Sequence, residues 1–374
     1  MDAAEIRAHL MDLHTYLLLA FGMQGNLDNR LEDFRVLLNG VSKFVETAKP
    51  GDFRGRGRKL VELLERAIET HSKTFPSRKP TRDTARAFRA LGNESDVWRY
   101  GIPFGWLVEH FESSAFDHPA DLPFHAKVGL GTHHGNASVE EAFLLEDAFF
   151  LLARAELAFT RMGEAADLLK ATGQGKLDKT EYRMLSLLNG EACTFSRLTV
   201  VTSSSFVEAF VNSVGWNEAL TRANLSDDAR AELRGVRKER YSSLRVKLER
   251  FPKLIRQDGT TPIVISDPVQ MKEPFLSFFK DTNDVRDASM HYAPGKAAIW
   301  RPPKEWISSA QNAVEHSVSV AREFWSACYP ERPQPIYLDG LDHARFLKRA
   351  RERVQEAEEI PDKSSPVSRV EVDQ

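Results

Sequence analysis

The chain has 374 residues, enough for two or three domains, and 42% of them are hydrophobic, ample material for cores. A net charge of −3 excludes a polycation that coats nucleic acid along its whole surface, so any anion-binding region must be local. Two widely separated cysteines, Cys193 and Cys328, read as buried thiols of a reduced compartment, and the apolar stretch 14–21 is far too short to span a bilayer; the expectation is a cytoplasmic chain with no membrane partner.

Hydrophobic periodicity predicts helices near 3–22, 27–48, 56–72, 82–91, 103–113, 138–170, 180–216, 227–256, 268–291, 303–328 and 340–357. Short strands are expected only at 261–266 and 335–338. Ser138, Ser226 and Asp267-Pro268 read as helix starts; Gly173, Gly175 and Pro294-Gly295 read as stops. The fold class is therefore all-α. Residues 1–137 form an N-terminal helical region with a sensing or regulatory look, ending in a Pro-, Gly- and His-rich connection over 114–137. Residues 138–197 are connecting long helices. Residues 198–330 hold four amphipathic helices, for which an up-and-down bundle is the default. Residues 331–374 comprise a C-terminal helix and, after about 360, a polar tail expected to be disordered.

The chemistry concentrates at Arg286-Asp-Ala-Ser-Met-His291, after the apolar run Phe275, Leu276, Phe278 and Phe279. Metal-independent RNA cleavage needs a proton taken from the ribose 2′-hydroxyl, a proton given to the 5′-oxygen, and fixed positive charge at the crowded phosphate. Histidine titrates near neutrality and serves either transfer, while arginine presents a planar, permanently charged fork. On an ideal α-helix Arg286 and His291 lie roughly 140° apart, whereas Asp287 and His291 share a face, so Asp287 is expected to orient the imidazole. One copy of the motif supplies one histidine although the reaction wants both a base and an acid. Two copies across a two-fold axis supply both. Glu208 and Asn212, four apart on the helix near 205–216, are candidates to support the site, as is Tyr292. Arg66 and His71 repeat the spacing but lack the polar second residue, and read as a solvated helix end.

Arg286, Asp287 and His291, set near the end of a third bundle helix, resemble the motif of the HEPN superfamily over residues 198–330. That family's pattern is Arg, then Asn, Asp or His, then variable residues and a catalytic His. The resemblance implies a four-helix bundle, a cleft made by a homodimer, and a metal-independent endoribonuclease acting as a toxin or antiviral defence effector. It also implies products ending in a 2′,3′-cyclic phosphate, and a regulatory protein partner. In one antitoxin-regulated subgroup a tyrosine lies two places after the histidine; here Tyr292 is adjacent and Ala293 takes the second place, so that form of control does not carry over.

RNA is the expected partner, and two basic stretches are candidates to hold it. Residues 229–256 carry a net charge of +7, with Arg237, Lys238, Arg245 and Lys247 as the chosen contacts, and residues 54–100 carry +6. His118, His125, His133 and His134 show no metal-ligand spacing, so neither metal nor cofactor is expected. The alternative reading is a non-catalytic helical RNA- or protein-binding module.

Overall fold

The computed structural model describes residues 2–24, 29–71, 77–91, 102–112, 131–133, 136–138, 140–171, 178–238, 240–256, 258–291, 301–332, 334–335, 337–338 and 341–359. The expected tail beyond 360, like most of the 114–137 connection, lies outside them. The N-terminal helices are α1 (Ala3–Gln24), α2 (Asn29–Thr47), α3 (Pro50–Asp52), which runs through a π-turn (Phe53–Gly57) into α4 (Arg58–His71), and α5 (Thr81–Arg89). A small antiparallel sheet follows, of β1 (Ile102–Pro103), β2 (Gly131–His133) and β3 (Asn136–Ser138) in the order β1-β3-β2, with α6 (Phe104–His110) between its first two strands. Then come α7 (Glu140–Ala171), α8 (Lys179–Thr221), α9 (Asp227–Leu233), β4 (Val236–Arg237), β5 (Arg240–Tyr241) and α10 (Leu244–Ile255). The motif segment is α11 (Phe275–Ser277), a second π-turn (Phe278–Asn283) and α12 (Asp284–His291); α13 (Pro303–Cys328) and α14 (His343–Glu359) complete the chain. Apart from the two small ribbons, the described residues are all-α.

Three expectations fail locally. The helix predicted over 227–256 is two helices parted by a hairpin. Gly235 (φ 80°) and Lys238 (φ 48°) both take left-handed backbone, which no α-helix includes. The helix predicted from 268 begins at Phe275. Asp267 accepts the Val269 N–H at 2.9 Å and the Gln270 side-chain amide at 2.6 Å, closing a local turn instead. Neither predicted strand forms. Ile263 and Ile265 are buried on alternate positions, as in a strand, but the Glu249 carboxylate accepts the N–H groups of Ile265 and Ser266 at 3.1 and 2.8 Å in place of a neighbouring strand. At 335–338 the chain turns, with Leu338 N–H donating to the Pro335 carbonyl at 2.8 Å.

The contacts divide the chain into two compact units that are not contiguous blocks: residues 1–146, 204–278 and 316–340 in one, and 147–203, 279–315 and 341–374 in the other. In the first unit, α1 buries Ile6, Leu10, Leu13 and Leu17, a stripe at three- and four-residue spacing. It packs against Leu38 and Val41 of α2, Phe53 of the π-turn, Val61, Leu64 and Ile68 of α4, and Ala85 of α5. Elsewhere in this unit Phe210 of α8 meets Phe324 edge-on and Trp325 tilted, both with centroids 6.2 Å away. Gly215 lets α10 close on α8: a Cβ there would lie 2.4 Å from the Phe251 ring and from the Leu233 carbonyl. The Arg230 and Arg222 guanidiniums cap helix ends, donating respectively to the carbonyls of Ala219 in α8 and Arg222 just beyond it, and to those of Leu254 and Ile255 in α10.

In the second unit, Val200 of α8, Val285 of α12 and Trp306 and Ala313 of α13 form one buried cluster, with Cys193 against it. Helix α7 joins through Glu156, which accepts from Gln311 of α13 at 3.0 Å and from Arg351 of α14 at 2.8 Å. Phe149 of α7 stacks obliquely on Phe346 and His343 of α14. The second unit therefore includes α7 and α14 besides α8, α12 and α13.

Candidate active site

The motif sits on a helical run whose inner face is set by sequence. Phe275, Phe278, Phe279, Thr282, Val285 and Ala288 are buried, while Leu276, Met290 and His291 are exposed. The wider π-turn lets Phe278, Phe279 and Thr282 all turn inward before the helix resumes its normal pitch at Asp284. Val285, anchored in the α8/α13 cluster, fixes the rotation of α12 and so leaves its neighbours Arg286 and Asp287 on the half-buried flank.

Arg286 Nη1 donates to Asp287 Oδ1 at 2.9 Å, with side-chain exposures of 28% and 17%. The pair holds the guanidinium in a defined place at the edge of solvent, a geometry suited to receiving a phosphate oxygen. His291 is the last residue of α12 and is exposed. Asp287 and His291 share the face expected of positions four apart, though the carboxylate is turned to Arg286. Tyr292 lies outside the described residues.

The supporting residues tell a different story. Glu208 and Asn212 of α8 belong to the first unit, whereas Arg286, Asp287 and His291 belong to the second. Asn212 Oδ1 accepts from Lys247 Nζ at 2.8 Å, and Lys247 is only 6% exposed. Burial pushes the Lys247 ammonium below the usual lysine range, and the nearby Glu208 carboxylate opposes that shift. Lys247 is thus an internal lysine and not the surface phosphate contact expected of it. Its stem also lies over Gly235, where a Cβ would sit 3.2 Å from Lys247 Cε.

Of the other expected RNA contacts, Arg237 and Lys238 are exposed on the β4–β5 hairpin and Arg245 is half-buried on α10. Arg250 is engaged by Glu232 through both carboxylate oxygens, and Arg237 lies 3.8 Å from the same group. The N-terminal basic stretch is partly internal business as well. Arg82, Arg86 and Arg89 of α5 all converge on the buried Asp12 carboxylate of α1. Arg66 is an exposed residue of α4 whose Nε donates to the Glu62 carbonyl at 3.3 Å, as a solvated helix face requires. His133 falls in β2, and His118, His125 and His134 lie outside the described residues; among the described ones no group of three or more His, Cys, Asp or Glu is placed to hold a metal ion.

The first unit also holds a recess of about 600 Å³ bordered by Glu218, Arg256, Asp258, Cys328, Tyr329 and Arg332. Tyr329 donates to the buried Glu218 carboxylate at 2.7 Å, and Arg256 clasps Asp258, which holds that carboxyl well below its usual range. The Arg256–Asp258 pair at its border is thus matched within the fold.

Sequence reading missed two features. The Asp12 cluster gave no motif, because its parts are some 70 residues apart. The hairpin, with Arg240 and Tyr241, was announced by Gly235 inside an apparently helical pattern and by Ser242-Ser243 just before a second apolar run. Among the described residues no helix is long and apolar enough to cross a membrane. Compared with protein-family models, curated proteins and solved structures, the chain matches none.

Proposed function

We propose that this chain is a metal-independent endoribonuclease of the HEPN type, with Arg286, Asp287 and His291 as its site and a toxin or defence effector as its setting. The observation that carries the reading is α12 itself: an arginine held by its neighbouring aspartate on a helix anchored by Val285, with an exposed histidine at the helix end. In the reaction, one His291 imidazole takes the 2′-hydroxyl proton as the 2′-oxygen bonds to phosphorus. The phosphorus–O5′ bond breaks, and the imidazolium of His291 in a second copy gives O5′ its proton. Arg286 holds the non-bridging oxygens as charge builds on them, and Asp287 keeps the guanidinium in place. The products end in a 2′,3′-cyclic phosphate and a 5′-hydroxyl.

The test incubates wild-type and His291→Ala protein with RNA and matched DNA in excess chelator. Wild type is expected to cleave only RNA, leaving cyclic-phosphate ends, and His291→Ala to lose about 10²–10⁴-fold in rate. Intact RNA with both proteins would sink the nuclease. It would leave the second reading, a helical RNA-binding module, which the exposed cations of the β4–β5 hairpin favour.

A further inference from the structure

The hairpin has a composition that its small size does not explain. Val236 pairs with Tyr241 and Arg237 with Arg240, the ladder is extended by Ser242 N–H donating to the Gly235 carbonyl at 2.8 Å, and Lys238 directly follows the first strand. Lys238 takes the positive φ (48°) that primed hairpin turns require, at a position where Asn, Asp or Gly would be easier. Two arginines directly opposite each other repel, a destabilising arrangement for an isolated ribbon. Even counting Glu239, residues 237–240 carry a net +2, and the Glu232 carboxylate, which lies 3.8 Å from Arg237, is shared with Arg250, which holds both of its oxygens. On the other face of the ribbon, Tyr241 is 88% exposed.

From this arrangement we infer that the β4–β5 hairpin grips single-stranded RNA: a base stacks on Tyr241 while adjacent phosphates sit on Arg237, Lys238 and Arg240. Successive residues of a strand point to opposite faces, so the ring of Tyr241 and the guanidiniums of Arg237 and Arg240 are separated across the ribbon. A single strand can serve both faces at once, because its bases splay away from its backbone. A duplex keeps its bases stacked inside and could use only the basic face. The opposed arginines then become an asset, since a polyanion relieves the repulsion that the shared Glu232 carboxylate only partly offsets. Assigning RNA rather than another polyanion rests on the proposed function; the stacking platform and the cation pair do not.

The experiment uses the full chain carrying His291→Ala, in chelator, and follows fluorescence anisotropy of a labelled 12-nucleotide single strand and of the same strand in duplex. Single-strand binding is expected to be the tighter, and Tyr241→Ala to weaken it about tenfold with an unchanged salt slope. Tyr241→Trp should restore it. Arg240→Gln should lower the slope of log affinity against log salt by about 0.7, the contribution of one released counterion on a single strand. Because Tyr241 is so exposed, a fold-related loss is checked by an unaltered circular dichroism melt. Equal affinity of strand and duplex, indifference to Tyr241→Ala, or binding to anionic vesicles in place of RNA would overturn the inference. The outcomes separate from those of the nuclease: a chain that binds through Tyr241 but never cleaves loses only its catalytic assignment. One that cleaves while Tyr241→Ala binds normally loses only the hairpin.

Discussion

Lys247 sits where a positive charge is hardest to keep, and the fold keeps it by giving its ammonium Asn212 Oδ1 at 2.8 Å with Glu208 nearby. Lys247→Met retains most of the stem but strands the asparagine carbonyl. The loss should be about 2 kcal/mol in chemical denaturation, in the range for a buried hydrogen bond to a charged group, and the salt slope of RNA binding should not move. A fall in that slope without a fall in stability would return Lys247 to the surface. Gly215 is the opposite case, a residue constrained by space and not by charge: Gly215→Ala drives a methyl into the Phe251 ring and the Leu233 carbonyl, and overpacking of this kind costs about 1–3 kcal/mol. At this scale the sequence was informative about type and blind to environment. Arg286, Asp287 and His291 could be proposed from the sequence because their chemistry is local to six residues. The fate of Lys247 was not, because its partner is 35 residues away in sequence.

Elements were legible where the apolar stripe was long, as in α1, α8 and α13, and failed where two short helices of similar phase abut. Leu244, Leu248 and Phe251 continue the helical pattern of 227–233 well enough to hide the hairpin, which the left-handed Gly235 and Lys238 make. The C-terminal helix α14 was foreseen as an element but not as a partner of α7. That docking should respond to acid. His343 lies half-buried against the Phe149 ring, and burial holds its pKa below the usual histidine value of 6.5, against the pull of Glu315, Asp342 and Glu156. Released from the fold, it would bind a proton more readily, so docking is full above about pH 6.5 and weakens as pH falls through the lowered value. Glu358, held below the usual carboxylate range by Arg154 and Arg161, adds its own loss at still lower pH, as its folded value is crossed. Hydrogen exchange, corrected for its intrinsic pH dependence, should therefore show residues 343–359 losing protection between pH 7 and 5 ahead of α13. His343→Gln should flatten that window and leave the more acidic loss, whereas equal protection at both pH values would remove the histidine from the account.

At the scale of the whole molecule, the proposed chemistry demands something that one copy does not hold. A single α12 ends in one exposed histidine, yet cleavage through the 2′-hydroxyl takes one proton and returns another, so the working unit is expected to be a two-fold pair of chains with both histidines in one cleft. The dose response to a dead partner tests this directly. If each dimer has one cleft needing both copies of His291, a co-refolded equal mixture of wild-type and His291→Ala chains keeps about a quarter of the activity, because only wild-type pairs work. If each chain cleaves alone, the same mixture keeps about a half. Size-exclusion chromatography with light scattering must show the same mass for both proteins, so that a quarter cannot arise from failed assembly. A mixture at one half would confine the reaction to a single α12, and a water or another residue of the same chain would then have to act as the second proton carrier.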